Sequence, residues 1–314
     1  SLAAYYTMSG DTSALNLARN TFLWTDKNFH DPQFKGYFSF FMENDSTLTA
    51  DSLSTNSRDF DRNGWKDQNS SIHLLEAFTE LYQVWPDSIL RQRLLEMLYL
   101  IRDTITTGKG FLTLYLERDW TPVSYRDSSD ASRQANFSLD HVSFGHDVET
   151  AYLMLEASHV LGLDPDEKTL TIAKEMVDHA LAKGWDDEKG GFYNQGYYFD
   201  NADTISIIDE VKTWWVQAEG LNALLLMSDL FPENENYFQA FRKQWDYINS
   251  YLIDHEHGGW YEEGLDNSPE RSETPKAQIW KVNYHNMRAL MNCIEMLKGE
   301  HELTGTGYDR SQAS

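Results

Sequence analysis

The sequence predicts an all-α protein, an (α/α)6 barrel of helical hairpins, on three observations. Apolar residues recur at helical spacing along most of the chain. The helices come in pairs joined by tight turns. Each pair closes on a glycine-aromatic turn: Lys35-Gly36-Tyr37-Phe38, Gly108-Lys109-Gly110-Phe111, Lys189-Gly190-Gly191-Phe192-Tyr193 and His257-Gly258-Gly259-Trp260-Tyr261. These turns return about every 70 to 80 residues, too long for a solenoid repeat and too few for a long open array. Hairpins of this size favour a closed toroid in which one helix of each pair lines the inside.

Ser1 to Tyr6 has the pattern of the middle of an amphipathic helix with no cap before it, so the true N-terminus, with any signal peptide, is expected to lie outside this chain. Ser9-Gly10-Asp11 is a turn, and Leu15, Leu17, Ala18, Phe22 and Leu23 mark a helix from Thr12 to about Phe29. The next pair runs from about Asn69 to Val84 and from Ser88 to about Thr106, broken at Trp85-Pro86-Asp87. A third occupies roughly 146 to 161 and 165 to 183, a fourth roughly 210 to 230 and 233 to 253. A last helix spans about Tyr284 to Leu297. That makes about nine helices where the barrel needs twelve, so roughly three are expected to precede Ser1. The reading is one catalytic domain over residues 1–314, incomplete at its N-terminus. Two polar stretches, Glu43 to Trp65 and Arg126 to Phe137, are expected to be loops or short strands at the rim.

A formal net charge of -24 disfavours nucleic acid and anionic membranes as partners, since both reward a basic face. A neutral polyhydroxylated ligand fits better. Cys293 is the one cysteine, so no intrachain disulfide and no cysteine-based zinc site can form; its apolar neighbours suggest a buried thiol and favour a reducing, cytoplasmic location. No run of about 18 apolar residues is present to span a membrane.

The polar residues near the start of each pair's first helix are Asn69 and His73, His146 and Glu149, Trp215 and Glu219, and Trp280 and His285. His73, His146, Trp215 and His285 are spaced by 73, 69 and 70 residues. Equivalent positions of successive hairpins converge on one axis, so these side chains should meet at one mouth of the barrel. Residues three apart on a helix are neighbours, so Glu149 is expected to orient or tune His146. Three histidines and two glutamates could hold a metal on paper, but no HExxH or similar spacing supports one, and none is expected.

Tryptophan beside carboxylates and histidines is what a sugar site needs: the apolar face of a pyranose stacks on indole while its hydroxyls bond to polar groups. Trp214, Trp215 and Trp280 are the candidates. Adjacent residues cannot both face the axis, so one of Trp214 and Trp215 is structural, and the four-residue step to Glu219 favours Trp215 as the platform. Two histidines flanking a sugar suit proton removal alpha to a carbonyl by one and reprotonation of the opposite face by the other. Such chemistry needs no cofactor, in keeping with the lack of a GxGxxG fingerprint or P-loop. Three rivals remain open. An inverting glycoside hydrolase could draw its carboxylates from Asp61, Asp147, Glu149 and Glu219, an aldose-ketose isomerase would return the proton to C1, and a sugar-binding scaffold would have lost catalysis.

Five blocks, in order, resemble the cellobiose 2-epimerases of the N-acylglucosamine 2-epimerase superfamily of (α/α)6 barrels. They are Lys66-Asp67-Gln68-Asn69 through Glu76; Tyr82-Gln83-Val84-Trp85-Pro86-Asp87; Ser143-Phe144-Gly145-His146-Asp147-Val148-Glu149; Lys212-Thr213-Trp214-Trp215-Val216-Gln217-Ala218-Glu219; and Tyr284-His285-Asn286-Met287-Arg288. The resemblance covers nearly the whole chain, and the Lys66 to Asp87 block points to the cellobiose branch. It implies reversible C2 epimerisation of the reducing-end glucose of a β-1,4-linked disaccharide such as cellobiose, with lactose and mannobiose unranked beside it, through a cis-enediolate. By the same resemblance His146 and His285 match the catalytic pair and Glu149 and Glu219 their supporting carboxylates. Asn69 and His73 match sugar-contacting and accessory positions, and Trp215 and Trp280 match the aromatic platforms. Two departures stand out. The family's first-helix arginine has no counterpart in this chain, and the segment around Arg126 to Phe137 is longer than expected, which would bear on substrate length.

Overall fold

A computed structural model describes residues 1–39, 64–164, 166–199, 203–301 and 303. Its helices fall into two compact units. One comprises Ser1–Thr107, Leu112–Asp140 and Leu153–Thr169; the other comprises Gly108–Phe111, His141–Tyr152 and the chain from Leu170 onward.

In the first unit, α1 (Leu2–Ser9) ends on Gly10 in the left-handed conformation, and Asp11 caps α2 (Thr12–Phe29) by accepting the Ser13 N–H at 2.8 Å. Strand β1 (Lys66–Asp67) leads into α3 (Gln68–Val84), capped by Asp67, and α4 (Ser88–Leu100) follows, capped by Asp87. Ile72, Leu75, Leu90, Leu94, Met97 and Leu98 are fully buried, and Phe22 meets Phe78 edge to face at 5.2 Å. The helix expected from Ser88 to Thr106 is α-helical to Leu100 and finishes as a π turn, Ile101–Ile105. Strand β2 (Tyr115–Leu116) pairs antiparallel with β1, Lys66 opposite Leu116.

The Arg126 to Phe137 stretch, expected as loop or strand, instead carries a helix, α5 (Asp130–Asp140). Polar satisfaction rather than an apolar stripe holds it. The Arg133 guanidinium is buried and donates to the carbonyls of Arg126 and Ser128 and to Asp130, while Asp140 accepts the Tyr125 N–H at 2.6 Å. Hydrophobic periodicity cannot register a helix built this way. The other polar stretch, Glu43 to Trp65, lies mostly outside the described residues, as does Asp61.

The second unit opens with β3 (Val142–Ser143) and α6 (Phe144–Val160), whose later part belongs to the first unit; α7 (Glu167–Gly184) likewise begins in the first unit. A three-stranded antiparallel sheet orders β3, β4 (Gln195–Tyr197) and β5 (Ser206–Asp209), with Val142 opposite Gly196 and Gly196 opposite Ile207. Helix α8 (Trp214–Leu230) is buried along most of its length; Leu224, Leu225 and Leu226 are fully buried, each contributing on the order of 2 kcal/mol. It packs against α9 (Glu235–Tyr247), which ends in a π turn at Ile248–Leu252, and against α10 (Tyr284–Lys298). Cys293 on α10 is the buried thiol expected, its pKa pushed up by burial to about 12. No helix among the described residues is long and apolar enough to cross a membrane.

The repeat seen in the sequence is also a repeat of bonding. In three of the glycine turns an aspartate receives the N–H groups two and three residues on, and its own N–H reaches the carbonyl five residues on: Asp31 with Gly36, Asp186 with Gly191, Asp254 with Gly259. A lysine then clamps each turn through the aspartate and the carbonyl four residues after it. Lys66 takes Asp31 and Lys35 O, Lys212 takes Asp186 and Gly190 O, and Lys276 takes Asp254 and Gly258 O. Lys66 and Lys212 are fully buried, which is tolerable only because each ammonium is paired and lies over an aromatic ring, Trp120 at 4.3 Å and Tyr247 at 4.2 Å.

Candidate active site

Within the second unit the starts of α6, α8 and α10 bring five of the expected residues together. Gly145 makes the approach possible: a Cβ there would stand 2.6 Å from Val216 Cγ2 and 2.7 Å from the Trp215 ring. With α6 and α8 in that contact, the His146 ring lies 4.7 Å from the Trp215 ring, and the His285 ring lies 5.7 Å from the same indole. Ser143, just before α6, bonds His146 Nδ1 at 2.8 Å.

Glu149 was expected to serve His146 along the helix. Its Oε1 accepts from Arg288 at 2.6 Å and stands 3.8 Å from His285 Nδ1. Glu219 is the nearer partner of His285, with Oε1 2.7 Å from Nδ1, and Arg288 reaches that same oxygen at 2.7 Å. Both carboxylates are buried. Burial works against the charge of Glu219, but the Arg288 guanidinium and the His285 contact outweigh it and lower the pKa. Arg288 is held in turn by the Tyr284 hydroxyl at 2.6 Å and by that residue's ring face at 4.7 Å.

Glu149, Glu219 and His285 offer ligand atoms all within 4.8 Å of one another, a spacing that could hold a cation. The donor set does not call for one, because the guanidinium already supplies the positive charge between the two carboxylates.

Trp214 is 6% exposed, with the Lys281 ammonium 5.4 Å from its ring. Trp280 sits on the Gln278–Lys281 turn ahead of α10, 79% exposed, and shares none of the contacts that hold the cluster together. Asn69 and His73 lie on α3 in the first unit, Asn69 exposed and His73 Nδ1 3.2 Å from Glu76. Arg288 and Ser143 were not singled out from sequence, although both left a local trace: Arg288 stands one turn after His285, and Ser143 three residues before His146.

Comparison with known proteins decides the family. Residues 3–289 match the family model described as N-acylglucosamine 2-epimerase. The chain belongs to the N-acylglucosamine 2-epimerase family. By that membership it is an enzyme of the carbohydrate epimerase and isomerase class. It is 31% identical to a cellobiose 2-epimerase of Ruminococcus albus over 307 residues, covering 93% of this chain and 68% of the relative. It is 27% identical to a D-mannose isomerase of Marinomonas mediterranea over 263 residues, covering 82% and 62%. Among solved structures it is similar to cellobiose 2-epimerase from Spirochaeta thermophila, with a TM-score of 0.72 at 27% identity, covering 95% of this chain and 68% of that one. The fold class of this epimerase-family chain is accordingly the helical-hairpin, (α/α)6 one that the sequence predicts.

Proposed function

We propose that the chain epimerises C2 of the reducing-end glucose of a β-1,4-linked disaccharide, cellobiose in the first instance, with His146 and His285 as the two proton-transfer groups. The observation that carries this reading is the pair of imidazoles within 4.7 and 5.7 Å of one indole ring. A pyranose or its open chain lying along Trp215 would have a titratable group at either hand. Each histidine has its Nδ1 engaged, by Ser143 and by Glu219, which orients both rings. After ring opening, one imidazole takes the C2 proton, giving a cis-enediolate, and the other delivers a proton to the opposite face of C2. Arg288, Glu149 and Glu219 form a buried charged base beneath His285 that fixes its ring. The roles of Asn69, His73 and Trp280 as sugar contacts, and the choice of cellobiose, rest on likeness to the named cellobiose 2-epimerases.

A second reading is aldose-ketose isomerisation, favoured by the likeness to a D-mannose isomerase. It would share the enediolate and return the proton to C1. Incubation with cellobiose in deuterated water, read by NMR, separates the two. The expected product is a glucosyl-mannose disaccharide carrying deuterium at C2. A ketose product would favour the isomerase, released glucose a hydrolase, and the absence of any exchange would overturn both enediolate readings.

A further inference from the structure

We propose that the groove between α7 and α9 is a second carbohydrate site, one that holds a neutral glycan chain rather than a substrate undergoing reaction. The groove has a volume of about 570 Å³, within the range of pockets that take small ligands and large enough for two or three sugar rings. It is lined by residues of the second unit alone, from the end of α7, the turn that follows it, and α9 with its N-cap, none of which takes part in the cluster around Trp215.

Its chemistry is that of sugar recognition. Trp185 lines it, half-buried and in edge-to-face contact with the fully buried Phe192 at 5.0 Å, and an indole so braced is suited to stack on a sugar ring. Around it stand Asn236, Gln239 and Asp187, all exposed, whose side chains make no hydrogen bond to protein among the described residues. Two carboxamides and a carboxylate offer both donors and acceptors, the mixture that vicinal hydroxyls require. The walls are themselves fixed: the Tyr237 hydroxyl bonds Asp178 at 2.5 Å, and Lys243 binds the carbonyl of Asp187. Leu181 is the one large aliphatic side chain in the lining, too little apolar surface for a docking helix or a second copy of the chain. A protein this acidic also gives a neutral polymer the advantage over an anionic one.

The site rests on the carbohydrate reading above only for the choice of probe, a β-1,4-linked glycan. Affinity electrophoresis in native gels cast with hydroxyethyl cellulose or glucomannan tests it, because long chains present few reducing ends to the histidine site. The wild-type protein should be retarded at least twofold relative to a glycan-free gel. Trp185→Ala should lose that retardation, and so should Ala182→Arg, which blocks the groove from an exposed position on α7 without touching the core. His146→Ala should keep it, and the two groove variants should turn over cellobiose within twofold of wild type. No retardation of the wild type, retardation that survives Ala182→Arg, or its loss in His146→Ala would each overturn the proposal. Failure of the epimerase reading would appear separately, as no turnover of cellobiose by a wild-type protein that is still retarded.

Discussion

His285 Nδ1 lies 2.7 Å from Glu219 Oε1, and that one oxygen also receives the Arg288 guanidinium at 2.7 Å. One buried carboxylate therefore orients the imidazole and balances the arginine together. Removing its charge should uncouple the two.

Glu219→Gln keeps the size of the side chain but weakens its hold on Nδ1 and on Arg288. Turnover is expected to fall by about a hundredfold or more, close to 2.7 kcal/mol of transition-state stabilisation. Steady-state kinetics on cellobiose check this, with circular dichroism to establish that the variant is folded. Turnover within threefold of wild type would remove Glu219 from the site.

Arg288→Met leaves Glu149 and Glu219 buried and facing one another with no cation between them. The expected loss is about 3–5 kcal/mol of stability by urea denaturation. Adding Glu149→Gln should recover part of it, since only one buried charge then remains. A double variant no more stable than the single one would contradict this charge balance.

Gly145→Ala would drive a methyl group to within 2.6 Å of Val216 and 2.7 Å of the Trp215 ring. Relieving that overlap means separating α6 from α8, at a cost of about 1–3 kcal/mol. His146 and the indole move apart with the helices, so turnover should fall more steeply than stability. Thermal unfolding and kinetics measured on the same preparation test both parts.

Acid should weaken the first glycine turn, but only well below the usual carboxylate range. Burial tends to raise the Asp31 carboxyl, but Arg118, the Phe34 and Gln33 N–H groups and Lys66 outweigh it and bring it to about 2 from an ordinary 3.8. A folded-state pKa below the unfolded one contributes stability above about pH 4, which is lost as the pH falls toward 2. Asp31→Asn should therefore be less stable than wild type at pH 7 and approach it by pH 2, as thermal midpoints across that range would record.

Nine of the helices could be read from apolar spacing and caps, because each carries an apolar face to bury. The π turns at Ile101–Ile105 and Ile248–Leu252 were hidden, since one inserted residue hardly disturbs a periodicity that the neighbouring turns maintain. Helix α5 was hidden for another reason: Arg133 and Asp140 hold it through backbone contacts that no hydrophobic pattern encodes. The spacing of about 70 residues found His146, Trp215 and His285, which meet within the second unit, and equally His73, which belongs to the first.

By itself the sequence determined the all-α hairpin class, the recurring glycine turns and the pair of histidines, since each is set by local spacing within one element. Only the tertiary structure brought Glu219 to His285 and Glu149 to Arg288. Along α6, Glu149 is the neighbour of His146, yet its Oε1 goes to Arg288 on α10, 139 residues away in the chain. An ionised oxygen without solvent must find a positive partner, and where that partner lies depends on which helices pack together rather than on the order of the residues.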